Sequence, residues 1–259
     1  MTRRRWIADE FSDDRAALIG PHAAHLSRTL RARVGQQFEI ACGERVRTAT
    51  ITSVADDRVE FVLGEDVVAP SVVPITLLLA VFKFDRMEWA IEKCTELNVT
   101  TIVPMVASRT EKHLALAAGK RVERWRRIAR EAAEQSRRAS PPEICDPLKL
   151  KDALISCHHE RASAGEGSAF PTALAGSEVA SALRIVLAES EREATLGEIL
   201  RAHADATSLA LAVGPEGGWT ADELQLFQQS RWHAASLGNT ILRAETAAIA
   251  AVAIARVGV

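Results

Sequence analysis

Two glycine-bearing stretches late in the chain carry residue types that a small-molecule site needs. The first is GPEGG, Gly214–Gly218. Glycine lets backbone approach a ligand and take positive φ angles, and Pro215 stiffens one end of the loop. The result is a tight turn of exposed N–H and C=O groups, suited to an adenine or a ribose. A plain strand-to-helix turn would account for the same letters. No Gly-Lys-Ser/Thr follows, so this is not a Walker loop, and G-x-G-x-x-G is absent, so it is not a dinucleotide fingerprint. The second stretch is LGNTILRAETAAI at 237–249. Leu237 and Gly238 end a strand, Asn239 and Thr240 make a polar bend, and Ile241 and Leu242 offer an apolar wall. Arg243 and Glu245 then open a helix. An acid is favoured at a helix N-terminus, whereas a buried arginine there needs a partner. Two readings stay open. Arg243 and Glu245 form an ion pair that fastens the helix, or Arg243 faces a phosphate or a charge developing on a base.

A third feature is electrostatic. Ser108–Ser140 holds ten Lys/Arg, among them Arg109, Arg124, Arg127 and Arg138, against four Glu. That excess stands out because the whole chain has 32 basic and 34 acidic side chains and a formal charge of −2. Bulk charge would not hold a nucleic acid, so an RNA partner requires such a local patch. Arg3, Arg4 and Arg5, with Arg28 and Arg31 on a short helix, make a second candidate contact region.

The 259 residues suffice for one large domain or two modest ones, and a hydrophobic share of 47% supplies a sizeable core. Cys42, Cys94, Cys145 and Cys157 show no C-x-x-C spacing. Neither a disulfide framework nor a zinc site is expected, and His22, His25 and His158–His159 do not read as ligands. The start, MTRRRWIADE, lacks the apolar run of a signal peptide. The apolar run VVPITLLLAVF is too short to span a bilayer. A cytoplasmic, metal-free protein with no membrane partner is the expectation.

Alternating segments punctuated by Gly35, Gly43, Asp56, Asp57 and Gly64 predict a small β-rich domain over residues 1–70, with a helix at 21–31. VVAPSVVP reads as a linker. From 74 to 259 strands and helices alternate, which predicts an α/β domain with a largely parallel sheet and ligands beyond the carboxyl ends of its strands. Helices are expected at 85–97, at 117–138 as one long element, and at 149–157 and 193–203. A strand at 99–107 is expected to end near Pro104. Residues 158–180 read as an irregular insertion. Thr220 and Glu223 have the spacing of a capping box. RAETAAIAAVAIARV at 243–257 is apolar on most sides, so it is either fully internal or partly covered by a second subunit.

The chain resembles the bacterial small-subunit ribosomal RNA uridine N3-methyltransferases, a branch of the knotted SPOUT superfamily. The matching pieces occur in the family's order: KFDRMEWAIEKCTELNV, Arg109, EAAEQSRRASPPEI, GPEGGWTADE and LGNTILRAETA. Asn98 and Arg137 stand where the family usually has glycine. The resemblance implies a PUA-like β-barrel over 1–70 and a SPOUT methyltransferase domain with a C-terminal trefoil knot over 74–259. It implies S-adenosyl-L-methionine as cofactor, held by Leu211, Val213, Gly214, Pro215, Glu216, Gly217, Gly218, Leu237, Gly238, Asn239, Ile241 and Leu242. Arg243 falls where family members carry an arginine near the reacting groups, with Glu245 as its companion or a possible base. The partners implied are 16S rRNA or the small ribosomal subunit, modified at N3 of a uridine (uridine 1498 by resemblance), and a second copy of the chain. A ribose 2′-O-methyltransferase, a non-catalytic ribosome-assembly factor and an open-sheet nucleotide enzyme are the competing readings.

Overall fold

The computed structural model describes residues 5–43, 45–67, 72–156 and 182–258. Arg3, Arg4 and the segment read as an insertion lie outside them. The chain divides into two compact units, residues 1–71 with 130–141, and residues 72–129 with 142–259. Residues 130–141, which the linear reading assigns to the second domain, therefore cluster with the first unit.

In the first unit, β1 (Trp6–Ile7), β2 (Glu10–Phe11), β3 (Arg15–Ile19), β4 (Gln37–Cys42), β5 (Arg45–Val54) and β6 (Arg58–Asp66) form one sheet in the order β1-β4-β5-β6-β3-β2. All its pairings are antiparallel except β1 with β4. Alternation buries Ala49 and Ile51 of β5 and Val59, Phe61 and Leu63 of β6 against Trp6, Leu18 and Leu26. The helix expected at 21–31 is shorter and irregular. α1 (Pro21–Ala24) starts with Pro21 in its first turn, where a missing N–H costs nothing, and a widened π turn follows over His25–Thr29.

In the second unit, β7 (Ile75–Ala80), β8 (Thr101–Val106), β9 (Glu143–Ile144), β10 (Leu148–Lys149), β11 (Ala182–Leu187), β12 (Ser208–Val213) and β13 (His233–Ala235) form a wholly parallel sheet. Its order is β10-β8-β7-β12-β11-β13, with β9 beside β8. The helices are α2 (Phe84–Glu96), α3 (Lys112–Ala117), α4 (Val122–Gln135, of which residues 122–129 belong to this unit), α5 (Leu150–Ser156), α6 (Leu196–Ala202), α7 (Ala221–Gln229) and α8 (Ala244–Gly258). They cover both faces. Ile75, Leu77 and Leu79 of β7 join the core of α2, α6 and α8, while Leu78 and Ala80 join that of α5 and α7. Parallel strands buried on both faces read as continuous apolar runs, which is why ITLLLA shows no alternation.

Two expectations need correction. The long helix at 117–138 is broken into α3, a 3₁₀ turn over Ala118–Arg121, and α4. β8 continues through Pro104, which is paired with Leu79 of β7. Ile102 receives its β9 bond on the opposite side, and so the missing N–H of Pro104 points away from β7 too. On that side β9 has ended at Ile144 and β10 starts only at Leu148, opposite Met105. No ladder bond is lost there.

Asn98, after the last turn of α2, takes φ 65°, and Arg137, after α4, takes φ 63°. These are left-handed positions that glycine usually fills at a helix end, and asparagine tolerates them best among the other residues. Arg256 of α8 secures the Asn98 corner. Its guanidinium donates to the carbonyls of Leu97 (3.0 Å), Val73 (2.6 Å) and Asn98. Arg256→Ala would leave three carbonyls short of a donor. We expect a loss of about 3 kcal/mol of stability, read as a lower Tm, and an unchanged Tm would contradict this role.

Cys94 is fully buried on α2, and burial pushes its thiol up to about 12. No described helix is long and apolar enough to cross a membrane. Among the described residues no group of three or more His, Cys, Asp or Glu side chains could hold a metal ion.

Candidate active site

The two glycine-bearing segments leave the sheet at neighbouring strand ends. β12 runs into Gly214, and β13 runs into Leu237 through Ser236. β11 lies between β12 and β13, so all three carboxyl ends open on one place. A cavity of about 520 Å³ lies there, within the second unit. Val213, Gly214–Gly218, Leu237–Arg243 and the end of β11 line it, with Arg86 and Arg109 reaching in from elsewhere. Its size is that of an ordinary small-molecule site.

Local chemistry holds the first loop in shape. Gly218 takes φ 68° and its N–H donates to Pro215 O at 2.8 Å, closing the turn. Trp219 folds under the loop. Its indole Nε1 donates to Leu187 O at 2.8 Å, and its ring packs edge-on against Phe227. The capping box expected at the start of α7 is present, with Thr220 and Glu223 bonded reciprocally. Glu223 does more than cap. Nearly buried, it also accepts the Ser108 N–H at 2.7 Å. That bond fastens the loop after β8 to the start of α7. From this loop Arg109 donates to Gly217 O at 2.6 Å. Arg109 therefore belongs to the cavity wall rather than to a separate basic face.

The second segment is more open. Gly238 takes φ 118°, and Ile241 is 77% exposed beside the opening. Arg243 is exposed, lines the cavity and makes no ion pair among the described residues. Of the two readings left open, the Arg243–Glu245 ion pair is not present. Glu245 is 4% exposed and off the cavity lining, with Oε1 3.8 Å from Arg86 Nε. Buried there, it is no candidate to take a proton from a substrate in the cavity. Leu211 is a second correction. It is fully buried in the core against the helices of one sheet face and does not reach the cavity.

Arg86 is the residue that sequence reasoning missed. It sits in the first turn of α2, lines the cavity, and donates from Nη1 to Glu216 Oε1 at 2.7 Å. A cation in the first turn of a helix opposes the helix dipole. Such a misplaced charge is the one sequence signal that acids face it.

Most of the other arginines are engaged. In the first unit Arg5 pairs with Glu39 at 2.8 Å, and Arg28 pairs with Asp56 at 3.0 Å. In the second, Arg124 makes a two-point bond to Glu88 at 2.6 and 2.8 Å. Arg126 pairs with Glu123. Arg138 is half-buried. Arg31 and Arg127 are exposed and free of ion pairs among the described residues. The basic run is therefore less available than its composition suggests.

The comparisons agree with this architecture. A family profile described as an RNA methyltransferase domain matches residues 69–256. The ribosomal RNA small subunit methyltransferase E of Mycobacterium bovis is 33% identical over 247 residues, covering 94% of this chain and 86% of its own. The chain belongs to the ribosomal RNA small subunit methyltransferase E family. Another member, from Synechocystis, is 32% identical over 232 residues, covering 88% of this chain and 68% of its own. A crystal structure of methyltransferase E from Neisseria gonorrhoeae bound to S-adenosyl methionine superposes with a TM-score of 0.76 at 27% identity, over 96% of this chain and 95% of that one. As a methyltransferase E, the chain is an enzyme.

Proposed function

We propose that the chain transfers a methyl group from S-adenosylmethionine to N3 of a uridine in 16S rRNA, uridine 1498 by family resemblance. The observation that carries this reading is the convergence of Gly214–Gly218, Leu237–Leu242 and Arg243 on one cavity in a chain of this family. The cofactor fits the residues present. The glycine loop offers backbone donors and acceptors, and a Cβ at Gly214 would crowd the Trp219 ring at 3.1–3.3 Å. Val213, Gly214, Pro215, Glu216, Gly217 and Gly218 would hold it from one side, and Leu237, Gly238, Asn239, Ile241 and Leu242 from the other.

S-adenosylmethionine supplies an electrophilic methyl group. The protein's share of the work is positioning and charge. Neutral uracil carries a proton on N3; its loss to water at the open cavity spreads negative charge over N3 and the flanking carbonyl oxygens, and that charge is used up when N3 takes the methyl. Arg243 stands where its guanidinium can stabilise that charge. The target base must leave its stack, or already lie unpaired, to enter. Arg31, Arg127 and Arg138, with Arg3 and Arg4, grip the RNA backbone, which positions the base without reading its sequence.

The first unit serves as a PUA-like RNA-binding barrel over residues 1–70, and residues 74–259 form a SPOUT domain whose end is a trefoil knot. The enzyme works in the cytoplasm as a homodimer, without a metal. The dimer reading is supported by α8, which exposes Ile254 at 38% and Val257 at 90%, and by Trp89 on α2, exposed at 48%.

Incubating rRNA and small subunits with labelled cofactor, then mapping by mass spectrometry, tests the reaction. One methyl on the base of a single uridine is expected. A methyl on ribose, or no transfer with cofactor bound, would overturn it.

A further inference from the structure

We infer that Arg86 is a positioning residue that clasps the cofactor loop and the segment presenting Arg243 into one unit. The inference rests on the reading above and adds a residue to it. The two carboxylates it faces come from different parts of the chain. Glu216 is the centre of the glycine loop, and Glu245 stands in the first turn of α8, two residues after Arg243. Arg86 Nη1 meets Glu216 Oε1 at 2.7 Å, and its Nε lies 3.8 Å from Glu245 Oε1.

The burial pattern says which partner depends on it most. Glu245 is 4% exposed, and its Oε2 has no hydrogen-bond partner. A carboxylate taken out of water needs a nearby cation, and breaking such a pair costs more than forming it gains. Arg86 is the only cation within ion-pair distance of Glu245 among the described residues. Without it, Glu245 would turn toward water and carry the start of α8, and hence Arg243, with it. The Glu216 bond is more exposed, with both side chains about one-third accessible. That half of the clasp fixes the loop rather than the fold. A planar guanidinium directs separate N–H groups at two carboxylates, which a single ammonium cannot do with the same geometry.

The two halves make separable predictions. Glu216→Gln should weaken S-adenosylmethionine binding by about tenfold with little change in the single-turnover rate at saturating cofactor. Glu245→Gln should do the reverse, lowering the rate about tenfold at nearly unchanged affinity. Arg86→Gln should show both losses, and Arg86→Lys should recover part of each. The decisive measurement is additivity. If Arg86 acts through these acids, Arg86→Gln/Glu216→Gln should bind cofactor no worse than Arg86→Gln alone, and Arg86→Gln/Glu245→Gln should turn over no slower.

Additive losses, or Arg86→Gln with wild-type affinity and rate, overturn the inference while leaving the proposed reaction standing. Wild-type protein that binds no S-adenosylmethionine by calorimetry overturns the reaction and the clasp together. Should Arg86→Gln fail to fold, Glu216→Gln carries the test, because its partner contact is at the surface. Unchanged affinity in that variant rejects the clasp.

Discussion

Arg243→Ala is expected to slow methyl transfer by about 10²–10³-fold, the cost of removing one aimed donor from a developing anion. Cofactor affinity should stay within about threefold of wild type. Arg243 is exposed at the cavity edge and makes no ion pair among the described residues, so removing it strands no partner. Its backbone carbonyl still accepts the Ala247 N–H at 2.8 Å, which keeps the first turn of α8 anchored whatever the side chain. Arg243→Lys should fall between, since a point charge replaces a planar fork. Calorimetry with S-adenosylmethionine and single-turnover assays on rRNA separate the two quantities. Wild-type turnover in Arg243→Ala would remove this side chain from the chemistry. Loss of cofactor binding with the rate preserved at saturation would make it a cofactor ligand instead.

Much of the site was legible in the chain because its parts are local. A glycine-rich turn after an apolar strand, a second polar turn ending at Arg243, and the Thr220–Glu223 box are each contained in a few consecutive residues. The parallel sheet was legible for a similar reason. Strands buried on both faces leave unbroken apolar runs, and ITLLLA and SLALAV both show one.

What stayed hidden depends on contacts between distant segments. Arg86 meets Glu216 and Glu245 across long stretches of chain, and periodicity within α2 cannot report that. The same blindness produced the Arg243–Glu245 pair, a sensible guess from adjacency that the fold does not use. The basic run misled in another way. Composition counts charges but not their partners, and Glu88, Glu123 and Asp9 neutralise Arg124, Arg126 and Arg130. Pro104 was read as a strand end because the rule assumes a neighbour on both sides, and the gap between β9 and β10 supplies none. Asn98 and Arg137 point the other way. The resemblance marks both as glycine positions, and the backbone keeps the left-handed turn despite the side chains.

Gly214→Val is expected to weaken S-adenosylmethionine binding by about 100-fold, and Gly214→Ala by about tenfold. A Cβ at Gly214 would lie 3.1, 3.2 and 3.3 Å from Cε2, Nε1 and Cδ2 of Trp219. That ring cannot easily retreat. It is bonded to Leu187 O, stacked edge-on against Phe227, and Phe227 is in turn packed on Trp232. Overpacking against a fixed neighbour costs about 1–3 kcal/mol, and each 1.4 kcal/mol is about tenfold in affinity. The loop, not the tryptophan, must move, and its backbone groups move with it. Gly217 offers the contrast. Its Cβ would meet Cβ and Cδ of Arg109 at 3.3 Å. Swinging Arg109 aside relieves the Cδ contact at the expense of its bond to Gly217 O, but its Cβ moves only with the loop backbone, by a few tenths of an ångström, so Gly217→Ala should lose about three- to tenfold. Gly119, with open space around a built Cβ, is the silent control. Calorimetric titration of the four variants, with Tm measured alongside, orders the effects. If Gly217→Ala binds worse than Gly214→Val, the loop is held from the Arg109 side and the tryptophan is incidental. If Gly214→Val binds normally while folded, the cofactor does not lie against this loop.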